Sequence, residues 1–512
     1  MSSAKETHAP EFTGMRARLW PIHSYEIKKF LPLGFIMFCL LFNYTLLRDT
    51  KDTLVVNAAG AGAISFLKLY CVTPAAILFV VLYAKLSNIL NKENLFYAIV
   101  TPFLVFFGAF AYLIYPNLHA LHPSAESIEA LHQAYPYLSG FIDIYAYWTY
   151  SAFYVLSEIW GSAMIALLFW QFANQVTRMH EAKRFYGLFV VIGNVALIFS
   201  GQYVKFFSDD IKNFCAEGTD VWQVSLNWLM GGVILIGLTA MALYRWMHTN
   251  VLTDPLYYDA EKPTHKKKKE KPGLVESMKI ILKSPELGLI ALLIMAYGVT
   301  INLVEIQFKE QLKWFYAGDK GGYNGFMGNY STWTGVMTII FSLFFGSSIL
   351  RRLNWFGAAV ITPVVILLCG AIFFAFIFAK DHMAGILASM ALNPIAAATF
   401  LGAFIVITSK VIKYCLFDPT KEMAYIPLDE ELKSKGKAAV DVIGGRAGKA
   451  GGSLVVSVLL MLFATKDVVT IAPISFIVFG VVCGLWLVAV KALSKRVEGA
   501  LVKRGVEEKQ AA

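Results

Sequence analysis

The residues able to do chemistry in this chain are ionisable groups set inside, or at the ends of, long apolar runs. A charge near mid-bilayer costs several kcal/mol on most scales, so such a group faces a partner or an aqueous space. The segment LRDTKDTLVV packs Arg48, Asp49, Lys51 and Asp52 together. Lys68 stands between Phe66-Leu67 and Leu69-Tyr70, and Glu158 lies inside FYVLSEIWGSAMIALLFW. INLVEIQFKEQLKWF spaces Asn302, Glu305 and Lys309 by three and four, on one helix face. FDPTKEMAYIPLDEELK precedes a last charged run, GKAAVDVIGGRAGKAGGS. There Arg446 and Lys449 point the same way. Asp441, Gly444, Gly445, Gly448 and Gly452 make a second face, where absent side chains let another backbone or a ligand approach closely.

Cations dominate these positions: Lys51, Lys68, Arg446 and Lys449 against Glu158 and Glu305. A positive surplus lining a cavity implies an anionic substrate. Arginine suits bidentate phosphate contact and lysine acts as a point charge, so cations on several helices suit a polyanion such as a nucleotide. The alternative is that the groups only pair with one another, Lys51 at a helix end. Other motifs fail. GGRAGKAGG puts Ile443 and Ala450 where a phosphate-binding loop needs Gly and Ser or Thr, and it lies in an apolar helix. His119, His122 and His132 lack metalloprotease spacing, and the six scattered cysteines form no C-x-x-C. Neither a metal nor a cofactor is expected.

These groups have to be held by apolar elements. Of 512 residues, 57% are hydrophobic and 16% charged, against about 25% charged in a soluble domain. That composition excludes a water-soluble enzyme, and its apolar richness excludes a disordered chain. An all-α polytopic membrane protein remains. At roughly 20 apolar residues per span, about twelve transmembrane helices fit. They begin near Phe30, Ile64, Leu95, Phe141, Phe185, Trp222, Leu287, Gly325, Phe356, Gly385, Ala438 and Val469. The fourth is long, and tilted or broken near Ser157.

The polar stretch Thr249 to Ser284, with its run Lys266 to Lys269, divides the spans six and six. The expected parts are an N-terminal tail (1–29), a six-helix bundle (30–248), a basic linker (249–284), a second six-helix bundle (285–490) and a C-terminal tail (491–512). Two such halves are the major-facilitator layout. The net charge of +10 reads as loop lysine and arginine facing lipid headgroups, not as a nucleic-acid footprint. The loop from Pro116 to Gly140 has no Lys or Arg, whereas both tails, the linker and Arg351-Arg352 are basic. Both termini are therefore expected in the cytoplasm.

Several long strings resemble a known group: LRDTKDTLVV, EIWGSAMIALLFWQFANQVTRMHEAKRFYGLF, NVALIFSG, INLVEIQFKEQLKWF and FDPTKEMAYIPLDEELKSKGKAAVDV. They are similar to the non-mitochondrial ATP/ADP translocases of chlamydiae, rickettsiae and plant plastids, over about Phe30 to Val490 and with chlamydial character. The resemblance implies a multi-pass carrier of the bacterial inner membrane, not an enzyme, that exchanges external ATP for internal ADP, with phosphate accompanying ADP outward. Through FLKLY, SEIWGS, NLVEIQFK and AGKAGG it places family transport residues on Lys68, Glu158, Glu305 and Lys449. Plastid members carry Asn-Pro-Leu-Gly-Lys-Ser where this chain has Gly445 to Ala450, so Arg446 adds phosphate affinity or shifts substrate preference. With Lys51 and Asn302, these residues make the expected substrate site, in a monomer. A proton-coupled nucleotide importer on the same scaffold is the rival. A membrane enzyme acting on lipid-linked phosphates, with Asp429-Glu430-Glu431 as its carboxylates, is the more distant one.

Overall fold

The computed structural model describes Phe12, Arg16, residues 20–255, Tyr257, residues 284–426, Leu428 and residues 437–511. Lys266 to Lys269 and Asp429-Glu430-Glu431 lie outside the described residues, as do the side chains of Arg351 and Asp441. In hydrocarbon every backbone N–H and C=O must be satisfied within its own segment, and the described residues form helices without strands. The long ones are α1 (Ile27–Ala59), α2 (Ala63–Ile89), α3 (Lys92–Leu121), α4 (Trp148–Val176), α5 (Met179–Ser208), α6 (Val221–Asn250), α7 (Pro285–Tyr316), α8 (Lys320–Phe341), α9 (Trp355–Ala379), α10 (Pro394–Met423), α11 (Lys437–Leu462) and α12 (Ala472–Ala511). All but α8 hold a stretch long and apolar enough to cross a membrane. That helix, KGGYNGFMGNYSTWTGVMTIIF, is rich in small and polar residues because much of its surface meets α5 rather than lipid.

Local chemistry fixes the ends. Asn91, Asp220, Ser284, Asp319 and Asn354 each accept a hydrogen bond from a backbone N–H three residues on, satisfying a donor that the first turn leaves free. Two expected starts move. The fourth span begins at Trp148, not Phe141, because Ser139–Ala146 is a separate short helix and the chain turns at Tyr147 (φ −113°, ψ 44°). The tenth begins at Pro394, not Gly385. Asn393 caps it, and Pro394 occupies the first position, where its missing N–H costs nothing. The irregularity expected near Ser157 is a π-helical stretch a turn later, Gly161–Phe169.

Glycines set the tightest packing. A Cβ on Gly201 of α5 would lie 2.8 Å from the Thr332 nitrogen of α8, and one on Gly335 would lie 2.7 Å from the Asn194 oxygen. These two helices therefore touch backbone to backbone across helices 1–6 and 7–12. The glycine face of α11 also meets α7: Gly448 lies backbone to backbone against Gly298, and Gly452 lies against the Asn302 side chain. Of the two uses open to that face, close approach of a neighbouring helix holds at Gly448 and Gly452, while nothing lies within 4 Å of a Cβ built on Gly445. On the side of the 116–140 loop, called the outer side below after the orientation expected from its charge, Gly62 abuts Leu460 and Val468, and the Ala61 N–H donates to Glu310 Oε2 at 2.8 Å. Towards the other side, α2 buries no residue from Thr73 to Ile89.

Candidate functional site

Adjacent residues on a helix point about 100° apart. Lys51 of α1 therefore turns to α4 while Asp52 turns to α7. The Lys51 Nζ is 3.0 Å from Glu158 Oε1 and 2.7 Å from Asp52 Oδ1. On α7, the Lys309 Nζ is 3.0 Å from Asp52 Oδ2 and 3.6 Å from Glu305 Oε1. The Lys410 Nζ of α10 reaches the same Glu305 oxygen at 3.5 Å. Six charges of alternating sign thus run from α4 through α1 and α7 to α10. The order is Glu158, Lys51, Asp52, Lys309, Glu305, Lys410.

Aromatic faces hold two of the three lysines. Lys51 lies 3.9 Å from the Tyr154 ring centroid and Lys410 lies 4.8 Å from that of Tyr330, distances at which the ring quadrupole attracts a cation. The middle of the chain is sealed: Lys51, Asp52 and Lys309 expose 2–3% of their side chains. Its ends are open, Glu158, Glu305 and Lys410 exposing 17–20%.

The structure brings Lys51, Glu158 and Glu305 of the expected site into this chain. Lys68, in the π-helical stretch Leu67–Val72 of α2, and Lys449, on α11, form no ion pair among the described residues. Both are nonetheless close enough to act on the charge of Glu158. Arg446 is exposed one turn before Lys449, and it too forms no ion pair among the described residues. Asn302 is not brought to the carboxylates. It is buried against Gly452, its Oδ1 without a hydrogen-bond partner. Sequence reasoning noticed Asp52 and Lys309 without assigning them to the site, and it missed Lys410. The signal for Lys410 was its place in GAFIVITSKVIK, a lysine at the end of an apolar run.

The outer side has polar contacts of its own. His132, beyond α3, and Asp143, before α4, are 3.1 Å apart, and Lys466, after α11, reaches Asp143 at 3.3 Å. Burial pushes the Asp143 carboxyl above its usual range despite these two neighbours. A cleft of about 620 Å³ opens among these residues, Gly60, Glu310, Lys313 and Trp314.

The whole arrangement can be compared with known proteins. The family model described as TLC ATP/ADP transporter matches residues 5–497. The chain is 45% identical to ADP,ATP carrier protein 1 of Chlamydia pneumoniae, covering 96% of this chain and 95% of that one. It is 44% identical to ADP,ATP carrier protein 1 of Rickettsia prowazekii, covering 94% and 95%. With the chloroplastic ADP,ATP carrier protein 1 of Arabidopsis thaliana it shares 44% identity, covering 93% and 75%. Among solved structures it superposes on the nucleoside transporter NupG with a TM-score of 0.54 at 11% identity, covering 90% and 99%. On a D-xylose-proton symporter the TM-score is 0.55 at 11% identity, covering 91% and 97%. These likenesses show the fold, a major-facilitator-type bundle.

Proposed function

The chain belongs to the TLC ATP/ADP transporter family, a family of carriers and not of enzymes, and from that premise we propose that it exchanges external ATP for internal ADP, with phosphate leaving beside ADP. One observation carries the site: Lys68 and Lys449 have no carboxylate partner among the described residues, while Lys51, Lys309 and Lys410 do. The spare charge suits a polyphosphate, which would bind between helices 1–6 and 7–12 near mid-membrane. Arg446, a turn along α11, would extend the basic surface, and Asn302 would brace α7 against α11. Glu158 and Glu305 would hold the cations when the site is empty and release them to phosphate when it is filled. The lack of burial along α2 from Thr73 to Ile89 supports a cavity open on the side of both termini, which we assign to the cytoplasm on the basic residues there.

An empty site with unbalanced charge resists passage through the occluded state, because uncompensated ions are costly in low dielectric. A filled one does not, and exchange becomes obligatory. ATP and ADP differ by about one charge, worth about 2.3 kcal/mol per 100 mV of membrane potential. Phosphate moving with ADP would cancel most of it.

Labelled ATP uptake into proteoliposomes tests the reading. Fast uptake is expected only with ADP inside. Uptake that needs a proton gradient and ignores internal ADP would instead indicate a proton-coupled importer.

A further inference from the structure

The ion pair between Asp52 and Lys309 is the one link of the charge chain that joins helices 1–6 to helices 7–12. Both side chains are almost wholly buried, so a nucleotide in the cavity cannot touch them. They lie on the closed outer side of the site, where Lys309 stands next to Glu310, which accepts the Ala61 N–H. Opening that side must draw α1 from α7 and break the pair. Breaking a buried ion pair by removing one partner is strongly destabilising, because the other charge is stranded. Here neither would be stranded. Asp52 keeps Lys51 at 2.7 Å, on its own helix. Lys309 keeps Glu305 at 3.6 Å, one turn away on α7.

We propose that Asp52 and Lys309 are positioning residues that form a switchable clasp. Lys309 pairs with Asp52 while the outer side is closed and with Glu305 alone while it is open. This rests on the alternating-access reading given above, and it adds a rule for how occupancy is sensed. Phosphate that draws Lys410 off Glu305 leaves that carboxylate free to pull Lys309 from Asp52. A nucleotide thus loosens the outer clasp without contacting it. With the site empty, Lys410 occupies Glu305, Lys309 stays with Asp52, and the outer side stays shut.

The test uses the full-length carrier in proteoliposomes, with native cysteines replaced and spin labels at Ser127→Cys, between α3 and α4, and Thr470→Cys, between α11 and α12, exposed positions near in sequence to Ile128 and Asp467 of the outer cleft's lining. Distances are read by pulsed dipolar spectroscopy, and ATP binding and ADP-driven ATP exchange are measured on the same samples. Asp52→Asn and Lys309→Gln should each shift the nucleotide-free protein towards the long outer distance and slow exchange at least about tenfold. ATP affinity should stay within about threefold, as expected of residues outside the contact surface. Glu305→Gln should do the opposite to the distances, because it removes the competitor for Lys309 and keeps the outer side shut even with ATP. The double variant Asp52→Asn/Lys309→Gln should show the same long outer distance and the same slowed exchange as either single one, since the two side chains act through one contact.

The clasp is overturned if Glu305→Gln shifts the distances the same way as Lys309→Gln, or if both single clasp variants keep the unaltered protein's distance distribution. Failure of the exchange reading would look different: the unaltered protein would neither bind nor exchange nucleotide.

Discussion

Lys449 and Lys212 carry the same charge in opposite settings. Lys449 stands on α11 without an ion pair among the described residues, near Glu158. Lys212 sits in an outer loop, paired with Asp209 at 2.6 Å. A hydrogen bond to a charged group contributes about 1.5–3 kcal/mol, so Lys449→Gln should raise the KM for ATP and ADP roughly tenfold to a hundredfold, while Lys212→Gln leaves both unchanged. Initial exchange rates against nucleotide concentration decide it, and equal effects would remove Lys449 from the site. Asp143 makes a pH-dependent prediction. Its carboxyl is raised by burial, so the folded protein takes up a proton at a pH where the unfolded chain would not. Through this group, stability rises as pH falls through the raised folded value and levels off below the unfolded one, about 3.9. The Tm of the unaltered protein should therefore gain on that of Asp143→Asn over that window, and a constant gap would contradict the assignment. Acidification also removes the Asp143–Lys466 ion pair, so the gain in stability comes with a looser outer side.

Among the elements, α5 shows how much a single methyl group can matter. Gly201 touches α8, whereas nothing lies within 4 Å of a Cβ built on Gly187 of the same helix. Gly201→Ala should cost about 1–3 kcal/mol through overpacking. Gly187→Ala should gain up to about 1 kcal/mol from lost backbone freedom in the unfolded chain. Thermal unfolding in detergent separates the two, and equal Tm shifts would mean the α5–α8 contact is looser than described. The helices themselves were largely legible, because apolar runs of spanning length have few alternatives in lipid. The start of α10 was also written in the chain, as Asn393-Pro394, and was passed over for the apolar residues before it. The break at Tyr147 has no such mark: neither Pro nor Gly stands there, and the turn is imposed by how Ser139–Ala146 packs. The polar character of α8 makes sense only once its neighbour α5 is known.

At the scale of the molecule, intramembrane charges could be picked out one by one, but their pairing could not. Asp52 and Lys309 are far apart in sequence, and only the docking of α1 beside α7 makes them partners. Lys410 reads alone as a side chain snorkelling from a helix end, although in the fold it ends the charge chain. The glycine contact of α5 with α8 has a mechanical meaning for the proposed cycle. Backbones that touch along much of their length act as a hinge, and the flank formed by α2 and α11 becomes the swinging leaf. The two lysines without carboxylates ride on that leaf, one on each edge. In that proposed cycle every stroke would take the anion's cradle apart and reassemble it, and the cargo would be gripped hardest in mid-swing, when the edges are nearest.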